Sequence, residues 1–447
     1  MDRRDALVES FMTEMGHCTK GETLFLQAVE EVARHVLTVE KNDPSFAAAR
    51  VLARLVEPDR ILSFRITWED DDGKVQINRA WRVQASNAIG PYKGGLRFHP
   101  AVDLDTLKFL AFEQCFKNAL TGLPLGGAKG GADFDPKGRS DAEIMRFCHA
   151  LMRALAPHIG PDKDVPAGDI NVGTKEIGWL FGAYRQLAGA YQGALTGKGL
   201  SYGGSAMRVE ATGYGLIYFV ERMLAEQGED LAGKRIAISG KGNVASHAAE
   251  KAVQQRACVQ TLSDTSGTLF APDGMGQEAI AWVQGQKAAG RGIDTPPDGL
   301  GLQFKPGAVP WEIAPEIALP CATQNELDAD MARQLVDGGT RLVAEGANMP
   351  LTAEAVEIVT GAGLAYAPGK AANAGGVAVS GLEMSQMSHR QFMSAEEVDR
   401  ELCVIMRDLH ARVAEEGREP GGIDYVRGAN VAGYRRLAQA ISAQGII

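Results

Sequence analysis

At 447 residues the chain exceeds what one hydrophobic core usually fills, so two domains are expected. A formal net charge of −10 argues against sequence-independent nucleic-acid binding, which needs a basic surface, and no stretch approaches the roughly 18 apolar residues of a membrane span. The six cysteines (Cys18, Cys115, Cys148, Cys258, Cys321 and Cys403) include no CxxC pair, which fits reduced, buried thiols better than a disulfide framework.

The opening MDRRDALVESFMTEM lacks a continuous apolar core and a small-residue cleavage site, so an amphipathic helix and a cytoplasmic location are expected, not a signal peptide. Helical periodicity continues to about residue 46, with Leu24, Ala28, Val32 and Val36 on one stripe. Two alternating runs at 61–68 and 75–83 flank EDDDG and predict a hairpin. The spacing of Leu104, Leu107, Leu110 and Ala111 predicts a helix over 103–119. After a glycine-dense stretch at 122–131, helices are expected at 140–157 and 174–189, and the loop at 196–204 is the domain boundary. A helix over 210–227 leads to a short strand at 234–239. From there strands at 258–263, 316–319, 341–345 and 364–366 alternate with helices, the mark of a helix-covered parallel sheet. The Gly- and Pro-rich 271–310 reads as mixed helix and loop. Helices at 395–416 and 430–443 end the chain and could fold back onto the first domain.

Chemistry concentrates in a few places. Gly240-Lys241-Gly242-Asn243-Val244-Ala245 lies between a strand and a helix, the setting in which GxGxxA serves a dinucleotide: Gly240 for the tight turn, Gly242 for close approach of a pyrophosphate, Ala245 for packing. An ordinary βα turn would look the same, but Asp264, ending the next strand, stands where a ribose-binding acid would sit. Its alternative is a helix-cap aspartate. Lys93 sits beside two glycines in PYKGGLRFHP, open to a small anion. Gln114 and Lys117, three apart, share a helix face, which by itself suits a solvated surface equally well. Lys129 in GGAKGG has glycines on both sides that admit a substrate against the backbone. No HExxH or close histidine spacing suggests a metal, and no GxSxG elbow suggests a serine nucleophile, so neither is expected.

Together PYKGGLRFHP, LPLGGAKGG, DVPAGDI, GGSAMRVEATGYG, GxGNVA, LPCATQNEL, AEGANMP and APGKAANAGGVAVSGLEM, in this order over nearly the whole chain, resemble the hexameric bacterial-type glutamate dehydrogenases of the Glu/Leu/Phe/Val dehydrogenase family. The resemblance implies that Lys93 and Ser380 hold the distal carboxylate of the substrate, and that Gln114 and Lys117 hold its α-carboxylate. Lys129 is implied as the catalytic lysine and Asp169 as its proton-transfer partner, with Gly168 offering backbone to the substrate. Thr212, Asn243, Gly240, Gly242 and Val244 would contact the cofactor. Two positions depart from the family pattern: Val209 follows Arg208 where proline is usual, and Lys241 replaces a small or apolar residue.

The expected fold is α/β with two domains and a cleft between: residues 1–202, joined by 426–447, for substrate binding and oligomerisation, and a Rossmann-type dinucleotide-binding domain at 203–425. The expected reaction is reversible reductive amination of 2-oxoglutarate with ammonia to L-glutamate in a homohexamer, with no nucleic-acid or membrane partner. One rival is another amino-acid dehydrogenase of the superfamily, whose apolar pocket would not keep a cation at Lys93. The other is a non-catalytic dinucleotide sensor, which would not need Lys129 and Asp169. For the cofactor the residues conflict. Asp264 favours NAD by repelling a 2′-phosphate, whereas Lys241, Lys137 and Lys287 could meet one; resemblance to the biosynthetic branch implies NADP.

Overall fold

The computed structural model describes residues 3–16, 19 and 21–447, so Cys18 lies outside the described residues. The chain divides into two compact units: Met1–Ala206, Ser380–Glu396 and Asn430–Ile447 form the first, Met207–Val379 and Glu397–Ala429 the second.

The first unit opens with α1 (Arg3–Gly16) and α2 (Thr23–Asn42), then two short helices, α3 (Pro44–Ala49) and α4 (Val51–Val56). The stripe of α2 buries Ala28, Val29, Val32, Ala33 and Val36, but Leu24 is 46% exposed and Phe25 takes the core position at that end. The expected hairpin is β1 (Arg60–Glu69) paired antiparallel with β2 (Val75–Ser86). There follow β3 (Tyr92–Phe98), α5 (Leu104–Leu120), β4 (Gly127–Ala132), α6 (Asp141–Leu155), β5 (Asp164–Gly168) and α7 (Thr174–Ala188). Local signals set the helix starts: Asp103 accepts from the Thr106 amide to cap α5, and Ser140 with Glu143 forms a capping box on α6.

The five strands form one sheet in the order β1-β2-β4-β3-β5, with β3 parallel to both β4 and β5. The sequence predicts no strand at β3, β4 or β5. Glycine is a poor strand former, and these strands are buried on both faces, so neither propensity nor alternation reveals them. Their glycines are required by contact: a Cβ on Gly127 would lie 2.1 Å from Cys115 Sγ, and one on Gly94 would lie 1.6 Å from the Ala128 carbonyl oxygen. Behind β3, the fully buried Arg82 forks onto Asp164, with Nε to Oδ2 at 2.9 Å and Nη2 to Oδ1 at 2.5 Å, and its Nη1 donates to the Gly94 carbonyl at 3.1 Å.

The second unit begins with α8 (Ala211–Ala225), β6 (Arg235–Ile238), α9 (Asn243–Gln254), β7 (Cys258–Asp264) and β8 (Gly267–Phe270). The Gly- and Pro-rich segment supplies α10 (Gln277–Ala288) and β9 (Gln303–Pro306). Then come β10 (Ile317–Leu319), α11 (Ala329–Asp337), β11 (Leu342–Ala344), α12 (Ala353–Gly361), β12 (Ala365–Ala367) and the one-turn α13 (Gly369–Ala372). The sheet order is β12-β11-β10-β6-β7-β8-β9. Its first five strands are parallel, and the chain reverses direction of winding between β6 and β10. In such a sheet, ligands bind beyond the carboxyl ends of the strands at that reversal.

Helix α14 (Gly375–His389) contains the 379/380 division, and α15 (Ala395–Gly417) and α16 (Tyr425–Gln444) complete the chain after it. Placing all of 203–425 in the second domain therefore needs correction at Ser380–Glu396, which groups with the first unit. The tie is a buried ion pair: Glu383 accepts Lys198 Nζ at 2.6 Å and the Gly197 amide at 2.8 Å. A bond between residues 185 apart leaves no local pattern in the sequence. From Asn430 onward helix α16 belongs to the first unit, burying Tyr434, Leu437, Ala438 and Ile441 in the core that contains α2, whereas α15 groups with the second unit from Glu397.

Candidate active site

In the first unit, the strand register gathers the chemical residues. Parallel neighbours share the side to which they point, and β3 pairs Gly95 with Ala167 and Arg97 with Gly131. Lys129, two residues before Gly131, and Asp169, two residues after Ala167, thereby meet Arg97. Lys129 Nζ lies 3.0 Å from Asp169 Oδ2, and Arg97 Nε donates to that same oxygen at 2.8 Å. Asp169 and Arg97 are about 15% exposed and Lys129 less, so the cluster is largely but not fully withdrawn from water.

Burial and charge work against each other here. Burial drives the Lys129 amine below the usual lysine value; the Asp169 carboxylate opposes this, and the positive charges of Arg97 and Arg82 reinforce it. For Asp169 burial pushes upward, but the charges and hydrogen bonds of Lys129 and Arg97 outweigh it and hold the carboxyl below its ordinary range. The result is a carboxyl whose ionised form is favoured, in contact with a lysine whose ammonium form is weakened, an arrangement chemically able to pass a proton.

Lys93, on β3, is 1% exposed, as is Ser380 on α14. The residue after it, Gly381, is pressed against Leu123 and Leu125 in the approach to β4. Gln114 lies against Gly94, next to Lys93, and donates to Asn118 Oδ1 at 2.7 Å; Asn118 Nδ2 donates to the Lys93 carbonyl at 3.1 Å. Lys117 is one turn along the same helix, α5. Gly168 ends β5, where a Cβ would lie 2.2 Å from the Val172 carbonyl oxygen, so only glycine fits the turn that carries Asp169. Sequence reasoning missed Arg97 and Asn118. Arg97 lies in the PYKGGLRFHP motif, but only the β3–β5 pairing brings it to Asp169.

In the second unit the glycine loop follows β6 at the reversal of the sheet. Gly240 has φ +86°, and a Cβ there would sit 3.2 Å from Ala322, so glycine is needed both for the conformation and for space. Gly242 is the N-cap of α9 and Asn243 its first residue. Val244 packs close to Gly346, which a Cβ would push to 2.4 Å from Cys321 Sγ. The LPCATQNEL and AEGANMP segments therefore meet the glycine loop, with Cys321 donating its amide to Ser239 Oγ at 2.8 Å. Thr212, in the first turn of α8, abuts Gly376 of α14, where a Cβ would lie 2.5 Å from its Oγ1. Tight turn, helix N-terminus and cleared backbone fit a dinucleotide pyrophosphate.

Asp264 ends β7 and receives Lys241 Nζ at 2.8 Å, together with the amide and hydroxyl of Ser266. Burial raises its pKa, but these donors dominate and hold it at about 2. Lys241 Nζ also donates to the Arg291 carbonyl at 2.7 Å, and Lys287 Nζ donates to Asn243 Oδ1 at 2.7 Å. Desolvation and the charge of Lys241 lower the pKa of Lys287, as two cations sharing one corner would. Lys137 belongs to the other unit. It shares a surface depression with Asp70, Asp71 and Asp72, an acidic setting that repels a phosphate.

Comparison with known proteins adds the lineage. A family model described as Glutamate/Leucine/Phenylalanine/Valine dehydrogenase matches residues 203–445, and its companion, the Glu/Leu/Phe/Val dehydrogenase dimerisation domain, matches residues 58–186. The chain belongs to the Glu/Leu/Phe/Val dehydrogenase family. Within this family it is 52% identical to the NADP-specific glutamate dehydrogenase of Haemophilus influenzae, over 99% of each chain. It is 51% identical to the NAD-specific glutamate dehydrogenase of Bacteroides fragilis, over 98% of this chain and 100% of that one. The crystal structure of Plasmodium falciparum glutamate dehydrogenase superposes with a TM-score of 0.96 at 42% identity, covering 99% of this chain and 96% of that chain. The family's two-domain α/β fold is thus the fold of this chain.

Proposed function

We infer that the chain is an NADP-dependent glutamate dehydrogenase, catalysing reversible reductive amination of 2-oxoglutarate with ammonia to L-glutamate. The observation that carries the chemistry is the contact between Lys129 and Asp169. As an ammonium, Lys129 polarises the 2-oxo group and later gives a proton to the hydroxyl that leaves as water. Asp169 takes a proton from the attacking nitrogen, since only neutral ammonia has a free electron pair. A five-carbon diacid needs a cation at each end: Lys93 with Ser380 takes the distal carboxylate, and Lys117 with Gln114 the α-carboxylate. Gly168 offers backbone to the substrate. The nicotinamide, when bound, supplies or accepts the hydride. Gly240, Gly242, Asn243 and Val244 hold the pyrophosphate end, with Thr212 beside them and Asp264 toward the ribose.

An amino-acid dehydrogenase for apolar substrates would have no use for buried Lys93, and a silent sensor none for the Lys129–Asp169 pair. The test is oxidation of NADPH on mixing with 2-oxoglutarate and ammonium. A preparation that binds NADPH yet leaves it unoxidised with both present overturns the enzymatic reading.

The 2′-phosphate is assigned to Lys241 and Lys287, not to the acid-flanked Lys137. Lys241→Ala is expected to raise KM for NADPH several-fold more than KM for NADH, because a point-charge contact is lost only with the phosphate-bearing cofactor. Lys137→Ala is expected to change neither. Equal losses for both cofactors in Lys241→Ala would remove that residue from phosphate recognition.

The assembly proposed is a homohexamer in the cytoplasm. In support, β1 is an uncovered sheet edge, the hairpin exposes Val75 and Ile77, and the segment matches a dimerisation model. No helix among the described residues is long and apolar enough to cross a membrane. Sedimentation at the mass of one chain would refute the hexamer.

A further inference from the structure

Two arginines of the first unit make opposite use of their guanidinium groups. Arg82 is 0% exposed and spends all three nitrogens on Asp164 and on the carbonyls of Gly94 and Gly95, a group committed to holding strands together. Arg97 spends one nitrogen: among the described residues its Nε bonds Asp169 Oδ2, and its two terminal nitrogens are bonded to nothing. The turn that carries Asp169 does not depend on this bond. Its backbone is pinned by Val172 N to the Asp169 carbonyl at 2.9 Å and by Phe98 N to the Ile170 carbonyl at 3.0 Å, while Asn171 donates to the Phe98 carbonyl at 3.0 Å. What Arg97 decides is the state of one side chain.

We propose that Arg97 is a positioning residue for proton transfer, fixing the Asp169 carboxylate against Lys129 through Oδ2 and leaving Oδ1 as the oxygen that exchanges a proton with the nitrogen nucleophile. The proposal rests on the reading of Lys129 and Asp169 as the proton-transfer pair. Both Arg97 Nε and Lys129 Nζ converge on Oδ2, so the two donors together select one carboxylate orientation. Arg97 also biases the pair electrostatically in a single direction. Its positive charge favours ionised Asp169 and disfavours protonated Lys129, so its removal raises both proton affinities. Charged groups on the elements packed here include Arg82 on β2, which is paired with Asp164 on β5 and adds to the depression of Lys129, Lys93 on β3, and Glu113 and Lys117 on α5.

The test is the pH dependence of kcat for glutamate oxidation with NADP, in which the acid limb reports deprotonation of the coupled pair. In Arg97→Met this limb is expected to move to higher pH by about one unit, the low end of what a neighbouring opposite charge does to a carboxylate. Arg97→Lys keeps a charge but cannot place Nε, and a smaller shift is expected. Affinity for NADPH should match the parent in both. Should Arg97→Met not fold, Arg97→Gln, neutral and polar, is expected to show the same one-unit shift. An acid limb at the parental pH in a folded neutral variant overturns the proposal, whatever its turnover. Asp169→Asn, assayed alongside, separates the two ideas. If it turns over as the parent does, the proton-transfer pair itself is misassigned; if it is inactive while the neutral Arg97 variant keeps the parental limb, only the role of Arg97 fails.

Discussion

Replacing Lys129 by alanine is expected to lower the turnover of 2-oxoglutarate amination by roughly 10²–10⁴-fold, the loss typical of a missing general acid–base group, while NADPH binds as before. The two effects separate because Lys129 lies on β4 of the first unit, whereas the glycine loop belongs to the second. The surroundings of the lysine suit the proposed role. Glycines on either side keep the strand bare, burial weakens its ammonium, and the Asp169 carboxylate at 3.0 Å acts in the opposite direction. Steady-state kinetics with a parallel NADPH titration checks this. Near-parental turnover would remove Lys129 from the mechanism, and a matching collapse of NADPH affinity would mean that the fold, not the chemistry, had been damaged.

The second large effect concerns which acid is accepted. Lys93→Leu combined with Ser380→Val is expected to cut kcat/KM for 2-oxoglutarate by roughly ten- to a hundredfold, since a charge-assisted hydrogen bond to a carboxylate contributes about 1.5–3 kcal/mol. Relative activity on apolar 2-oxo acids should rise, because a buried lysine that meets no anion penalises them and leucine does not. Both positions are 1% exposed, so the leucine and valine replace buried volume instead of exposing new apolar surface. Competition between 2-oxoglutarate and a branched-chain 2-oxo acid measures the change directly. If their ratio stays parental, the distal carboxylate is held by other groups.

Local order carried much of this protein into view from its sequence. The helical stripes of α2 and α5, the β1–β2 hairpin around EDDDG, and the strand–glycine–helix run at Gly240 depend on neighbours within a few residues, and periodicity and turn chemistry record such neighbours. Lys93 and Lys129 were legible for another reason: glycines adjoin both, and the family's motifs follow one another in order along the chain. The tertiary structure alone decided what depends on distant partners. The glycines Gly94 of β3, Gly127 of β4 and Gly168 of β5 are required because the Ala128 carbonyl, Cys115 and the Val172 carbonyl press against them, a requirement that runs against strand propensity. Ser380–Glu396 joins the first unit because Lys198 and Glu383 share a buried bond across 185 residues. Lys241, legible as a departure from the family pattern, proves to be paired with Asp264. Arg97 reaches Asp169 only through the register of β3 with β5, because a parallel pairing between segments 72 residues apart is set by packing of the whole sheet and leaves no periodic trace.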